Sequence, residues 1–111
     1  MADSRYVLEF TDANFDEVID DSDNLIVVDF WATWCSPCVA LSPVIEELAK
    51  KYADQKVTVG KLNVDENQNV TAKFGIRSIP AILFFKKSEL IDTVIGGSLQ
   101  VLEEKIKEHH E

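Results

Sequence analysis

Leu25-Ile26-Val27-Val28-Asp29-Phe30-Trp31-Ala32-Thr33-Trp34-Cys35-Ser36-Pro37-Cys38 is the stretch on which the fold turns. Up to Trp31 it is apolar but for Asp29, the pattern of a strand covered on both faces. That coverage belongs to a sheet with helices packed on either side. The apolar run then stops, and Cys35 and Cys38 stand where a helical pattern starts. Downstream, Val44, Ile45, Leu48, Ala49 and Tyr52 form a helical stripe, with Pro43 placed to kink it.

Working outward, Tyr6 to Phe10 reads as a short strand, and Thr11 is placed to cap a helix bearing Phe15, Val18 and Ile19 on one face. Val57 to Val64 is a third strand, and Asn67 to Phe74 a short helix ended by Gly75. Ile79 to Phe85 and Leu90 to Ile95 flank Lys86-Lys87-Ser88-Glu89 and read as a β-hairpin. Gly96-Gly97 breaks the last strand, and Ser98 caps a helix with Leu99, Leu102 and Ile106 inward. The order βαβαβαββα implies an α/β fold, a central mixed sheet of about five strands flanked by about four helices.

A length of 111 residues with 46% hydrophobic content argues for one domain over residues 1–111, large enough for a core without a stabilising disulfide. The net charge of −9, from 11 basic and 20 acidic residues, excludes nucleic acid as a main partner, because phosphate contacts need clustered cations. The acids are dispersed, among them Asp12, Asp16, Asp20, Asp21, Asp23, Glu103, Glu104 and Glu108, as on a solvated surface. Met1-Ala2-Asp3-Ser4-Arg5 shows no signal-peptide pattern, and no apolar run has the length of a membrane span. These features predict a cytoplasmic protein with no membrane partner, monomeric by default. In a reducing compartment a lone pair of nearby cysteines is catalytic or metal-binding more often than structural.

Residues at i and i+3 of a helix lie on one face about 5–6 Å apart, within reach of a disulfide. A first turn also presents unpaired N–H groups and the positive dipole end, which lower the pKa of a thiol there below about 8.5. Pro37 is tolerated because a first-turn N–H has no helical partner to lose. Cys35 is therefore expected to be an exposed nucleophile and Cys38, one turn deeper, the resolving thiol. A structural disulfide, a zinc site or two unrelated buried cysteines are the alternatives. Zinc usually takes four ligands, whereas the only histidines, His109 and His110, sit in a charged tail, so no metal is expected.

Asp29 is costly if charged within its apolar strand, so its pKa should rise; either it reaches water at a strand end or it accepts a proton from Cys38. Lys61 is a similar intrusion in the third strand, either paired with Asp29 across the sheet or exposed. Pro80 is either a cis-proline fixed by context or an ordinary strand-entry proline.

Taken together, Trp31-Ala32-x-Trp34-Cys35-x-Pro37-Cys38, Asp29, Lys61, Gly75-Ile76-Arg77-Ser78-Ile79-Pro80 and Gly96 resemble the thioredoxin family, in order and from about Tyr6 to Ile106. The resemblance implies the thioredoxin fold, Cys35 as attacking and Cys38 as resolving thiol, and Asp29 with Lys61 as a proton-handling pair beneath them. It makes Pro80 a cis-proline beside the dithiol and Ile79 a source of backbone hydrogen bonds to substrate. Trp34, Gly75, Ile76, Gly96 and Gly97 become parts of a flat apolar docking surface that also takes in Ser36 and Pro37. The implied activity is reduction of protein disulfides, with no bound cofactor and with electrons supplied by a thioredoxin reductase.

Three positions depart from the family pattern. Ser36 replaces the glycine usual between the cysteines, and Val39 stands where Lys or Arg is usual. Lys87-Ser88 occupies the hairpin position where Asn-Gly is common. Two rival functions follow from the same residues: a thiol oxidant or disulfide isomerase on this fold, and a redox-independent binding module using the surface around Trp34.

Overall fold

A computed structural model describes residues 5–110; the reading of the first four residues lies outside them. The elements run β1 (Val7–Phe10), α1 (Phe15–Asp21), β2 (Leu25–Trp31), α2 (Ser36–Lys51), β3 (Val57–Asn63), α3 (Gln68–Lys73), β4 (Ala81–Lys86), β5 (Glu89–Ile95) and α4 (Leu99–His109). This is the βαβαβαββα order expected from the sequence. The five strands lie in the order β1-β3-β2-β4-β5. β3 is parallel to both β1 and β2, whereas β4 runs antiparallel to β2 and β5 antiparallel to β4.

Alternation along the central strands divides the core into two layers. Val27, Ile82 and Phe84 pack with Leu41, Ile45 and Leu48 of α2 and with Leu102 and Ile106 of α4. Ile26, Val28, Phe30, Leu83 and Phe85 pack on the other face with Phe15 and Ile19 of α1 and Val70 of α3. Strand β2 is therefore buried along nearly its whole length, as its apolar run requires. The side chain of Asp29, two residues from Val27, points to the α2 layer.

Two of the boundaries that differ from the sequence reading change where a singled-out residue lies. Thr11 does not cap α1: Asn14 occupies the N-cap, because Thr11 and Asn14 first close a turn of their own. In that turn Asn14 N–H donates to Thr11 Oγ1 at 3.1 Å and Thr11 N–H to Asn14 Oδ1 at 2.8 Å. β4 begins at Ala81, so Ile79 and Pro80 lie in the preceding loop. Helix α2 continues through Pro43 to Lys51. Gly75 behaves as expected: its φ of +61° follows α3, with its N–H on Ala72 O at 3.0 Å and that of Ile76 on Thr71 O at 3.2 Å. The Lys87-Ser88 turn has positive φ at both residues, 52° and 69°, the geometry that Asn-Gly usually supplies.

Candidate active site

The junction between β2 and α2 places the two cysteines. Cys35 is the N-cap of α2 in an extended conformation, and a proline follows at the helix start. The cysteines form a disulfide with Cα atoms 5.2 Å apart, so the described state is the oxidised one. Cys38 N–H donates to Cys35 Sγ at 3.2 Å, the kind of capping bond expected to favour a thiolate there. Cys35 is less open than expected: it is 5% exposed against 1% for Cys38. Ala32, Trp31, Val64 and Ile79 pack around the pair and leave only the Cys35 edge near the surface.

The loop before β4 closes the site from the other side. The Ile79–Pro80 bond is cis, and Ile79 O lies 3.8 Å from Cys35 Sγ. Pro80 is buried, and its carbonyl accepts the Gly96 N–H at 2.7 Å. Gly96 is thereby joined to the same corner, with Ile95 beside it opposite Ala81 in the β4–β5 register. Ile95 is 61% exposed, although in the sequence it reads as one more apolar strand residue. Trp34, at 68% the most exposed large apolar side chain among the described residues, donates its indole N–H to Asp65 Oδ2 at 2.8 Å. Asp65 is another residue that sequence reasoning misses, since nothing in the sequence joins it to Trp34. Ser36, Pro37 and Gly75 are exposed and Ile76 and Ile79 half-buried. Gly97, with φ of 113°, is exposed but turns tightly over Val94 and Leu102.

Asp29 and Lys61 are partners in the β2–β3 register. The cross-sheet ion pair considered from the sequence is not formed. Lys61 Nζ instead bonds Ser42 Oγ at 3.0 Å and sits 4.5 Å from the centre of the Trp31 ring. Asp29 is fully buried, and neither carboxyl oxygen has a protein hydrogen-bond partner among the described residues. Burial pushes its pKa up to about 7, against the smaller opposing pull of Lys61. A group in that state can hold or give up a proton near neutrality. A groove of about 390 Å³ opens beside Cys38, between Val7, Trp31, Val39, Ser42 and Lys61. A larger hollow of about 560 Å³ between Glu17, Asp21, Asn24 and Lys56 includes none of the predicted site residues.

The charged tail is helical as far as His109. His109 lies in α4 and its Nε2 is 2.8 Å from Asp92 Oδ2, which Lys105 Nζ also reaches at 2.9 Å. Bonds from His109 and then Lys105 hold the Asp92 carboxyl down at about 2.

A redox disulfide at a strand-to-helix junction, faced by a cis-proline on a five-stranded mixed sheet, defines a protein-disulfide oxidoreductase of the thioredoxin fold. The family model described as Thioredoxin matches residues 6–108, and the chain belongs to the thioredoxin family. It is 48% identical over 102 residues to a thioredoxin of Chlorobaculum thiosulfatiphilum, covering 91% of this chain and 94% of that one. Against a thioredoxin of Alicyclobacillus acidocaldarius the identity is 51% over 89 residues, covering 80% and 83%. The crystal structure of Malassezia sympodialis thioredoxin (Mala s 13) superposes with a TM-score of 0.83 at 36% identity, covering 93% of this chain and 90% of that one.

Proposed function

We propose that this chain, acting as one domain, reduces protein disulfides in the cytoplasm by thiol–disulfide exchange at Cys35 and Cys38. The N-terminal position of Cys35 on α2, with the Cys38 N–H aimed at its sulfur, carries the reading. The reduced Cys35 thiolate attacks one sulfur of the substrate disulfide, forming a mixed disulfide and releasing the other substrate sulfur as a thiolate. Cys38, its proton passed toward Asp29, then attacks Cys35 Sγ. The Cys35–Cys38 disulfide forms, and the second substrate thiol leaves with the pair's two electrons transferred.

The exposed Trp34 and Ile95, with Ile76, Ile79 and Gly96, supply the surface against which a substrate chain lies. No bound cofactor is required; a thioredoxin reductase regenerates the dithiol. With Val39 in place of the usual cation, we infer a less electropositive docking face and a correspondingly different reductase preference. No described helix is long and apolar enough to cross a membrane.

The test is Cys38→Ser incubated with insulin as disulfide substrate. A covalent adduct at Cys35, released by added dithiol, is expected by intact mass. Normal turnover by Cys38→Ser would remove its resolving role. Function retained by Cys35→Ser, Cys38→Ser would favour the redox-independent binding module.

A further inference from the structure

Lys61 ends on a neutral hydroxyl although a buried carboxylic acid is its partner in the strand register. The Lys61 ammonium donates to Ser42 Oγ at 3.0 Å and lies over the Trp31 ring at 4.5 Å. Ser42 stands on α2 one turn after Cys38, so the same helix that carries the resolving cysteine also carries the anchor for the lysine. Two weak attractions, a hydrogen bond and a cation–π contact, thus replace an ion pair that the backbone register would permit.

We propose that Ser42 is a positioning residue: its hydroxyl holds the Lys61 ammonium between α2 and Trp31, away from contact with Asp29, and so keeps that acid available to take up a proton. The proposal rests on Asp29 serving the resolving step of the exchange cycle, but its structural half is independent of that step.

The charges around the groove are consistent with a local anchor. β1 brings Glu9 opposite Lys61, α2 brings Glu46 to the groove beside Cys38, and the segment after β3 brings Glu66. On the other side of Asp29, β4 contributes only Ile82. The acids at the groove edge are screened by water, whereas Asp29 is enclosed, where attraction between charges is stronger. Once the hydroxyl is gone, Asp29 is therefore the acceptor that gains most from the ammonium. An opposite charge brought to about 4–6 Å lowers a carboxyl pKa by about 1–3.

The direct experiment follows the Asp29 carboxyl carbon by 13C NMR across pH in the oxidised protein, where neither cysteine titrates. In Ser42→Ala the Asp29 midpoint is expected to fall by about one pH unit. Ser42→Thr, which keeps a hydroxyl, should restore the wild-type midpoint. In a Lys61→Met background, Ser42→Ala should have no effect, because the serine acts through the lysine. An unchanged or raised midpoint in Ser42→Ala, or an equal shift without Lys61, would overturn the positioning role. The pH dependence of mixed-disulfide resolution, measured separately in Ser42→Ala, should move with the NMR midpoint. If the midpoint moves and resolution does not, Ser42 still positions Lys61, and it is the role of Asp29 in resolution that fails.

Discussion

The backbone N–H of Cys38 points at the sulfur of Cys35, 3.2 Å away, across the first turn of α2. The relationship is one-directional: Cys35 caps the helix, and Cys38 lies inside it. In the proposed cycle this N–H stabilises negative charge on the first sulfur once the pair is reduced, and the second, buried in the helix, is the thiol that needs a base. The proposed division between attacking and resolving thiols rests on this asymmetry.

Asp29 links the site to pH-dependent stability. Its carboxyl has a folded pKa of about 7 against 3.8 ordinarily, so the folded protein retains a proton that the unfolded chain releases. Stability should fall as pH rises from about 4 to about 7 and then level off. Asp29→Asn removes the buried charge, so its gain over wild type should be near zero at about pH 4 and reach roughly 4 kcal/mol above about pH 8. Urea unfolding at both values checks this; equal gains at both would show that Asp29 is not held neutral by the fold.

Gly60 is fixed by packing. A Cβ there would lie 2.3 Å from Phe10 Cε2 and 2.7 Å from the Leu8 carbonyl oxygen, between β1 and the buried Phe10 ring. Gly60→Ala should destabilise by about 3 kcal/mol through forced displacement of β1. Thermal or urea unfolding measures it, and a loss below about 0.5 kcal/mol would contradict the close approach.

Val39 is 54% exposed one residue beyond Cys38. Val39→Lys would place a cation at the docking face and alter encounters with charged partners. The ratio of kcat/KM between two reductases of different surface charge should change by about threefold, the scale of an exposed charge effect of about 0.3–1 kcal/mol. Steady-state kinetics giving the same selectivity would remove Val39 as a determinant.

The strand-to-helix junction, the element order and both cysteines are legible because each depends on local sequence: an apolar run, a helical stripe, a first-turn proline. Side-chain destinations are not. Register can place Lys61 opposite Asp29, but the ammonium moves on a long flexible stem and its acceptor, Ser42, comes from another element. Asp12 reads as one surface acid among many, yet its carboxylate accepts the Asn69 and Val70 N–H groups at 3.2 and 2.9 Å, capping α3 from 57 and 58 residues away. That bond exists only once β1 and β3 have paired. Trp34 and Asp65 are joined in the same way, across the gap between two loops.

The midpoint reduction potential of Cys35–Cys38, measured by equilibration in defined thiol–disulfide buffers, tests the reductase assignment most directly. A reductase of this family should poise at about −270 mV or lower, a figure that is the known potential of thioredoxin itself and owes nothing to the distances in this site. A midpoint between about −180 and −120 mV, the range of isomerases and oxidants, would contradict the assignment.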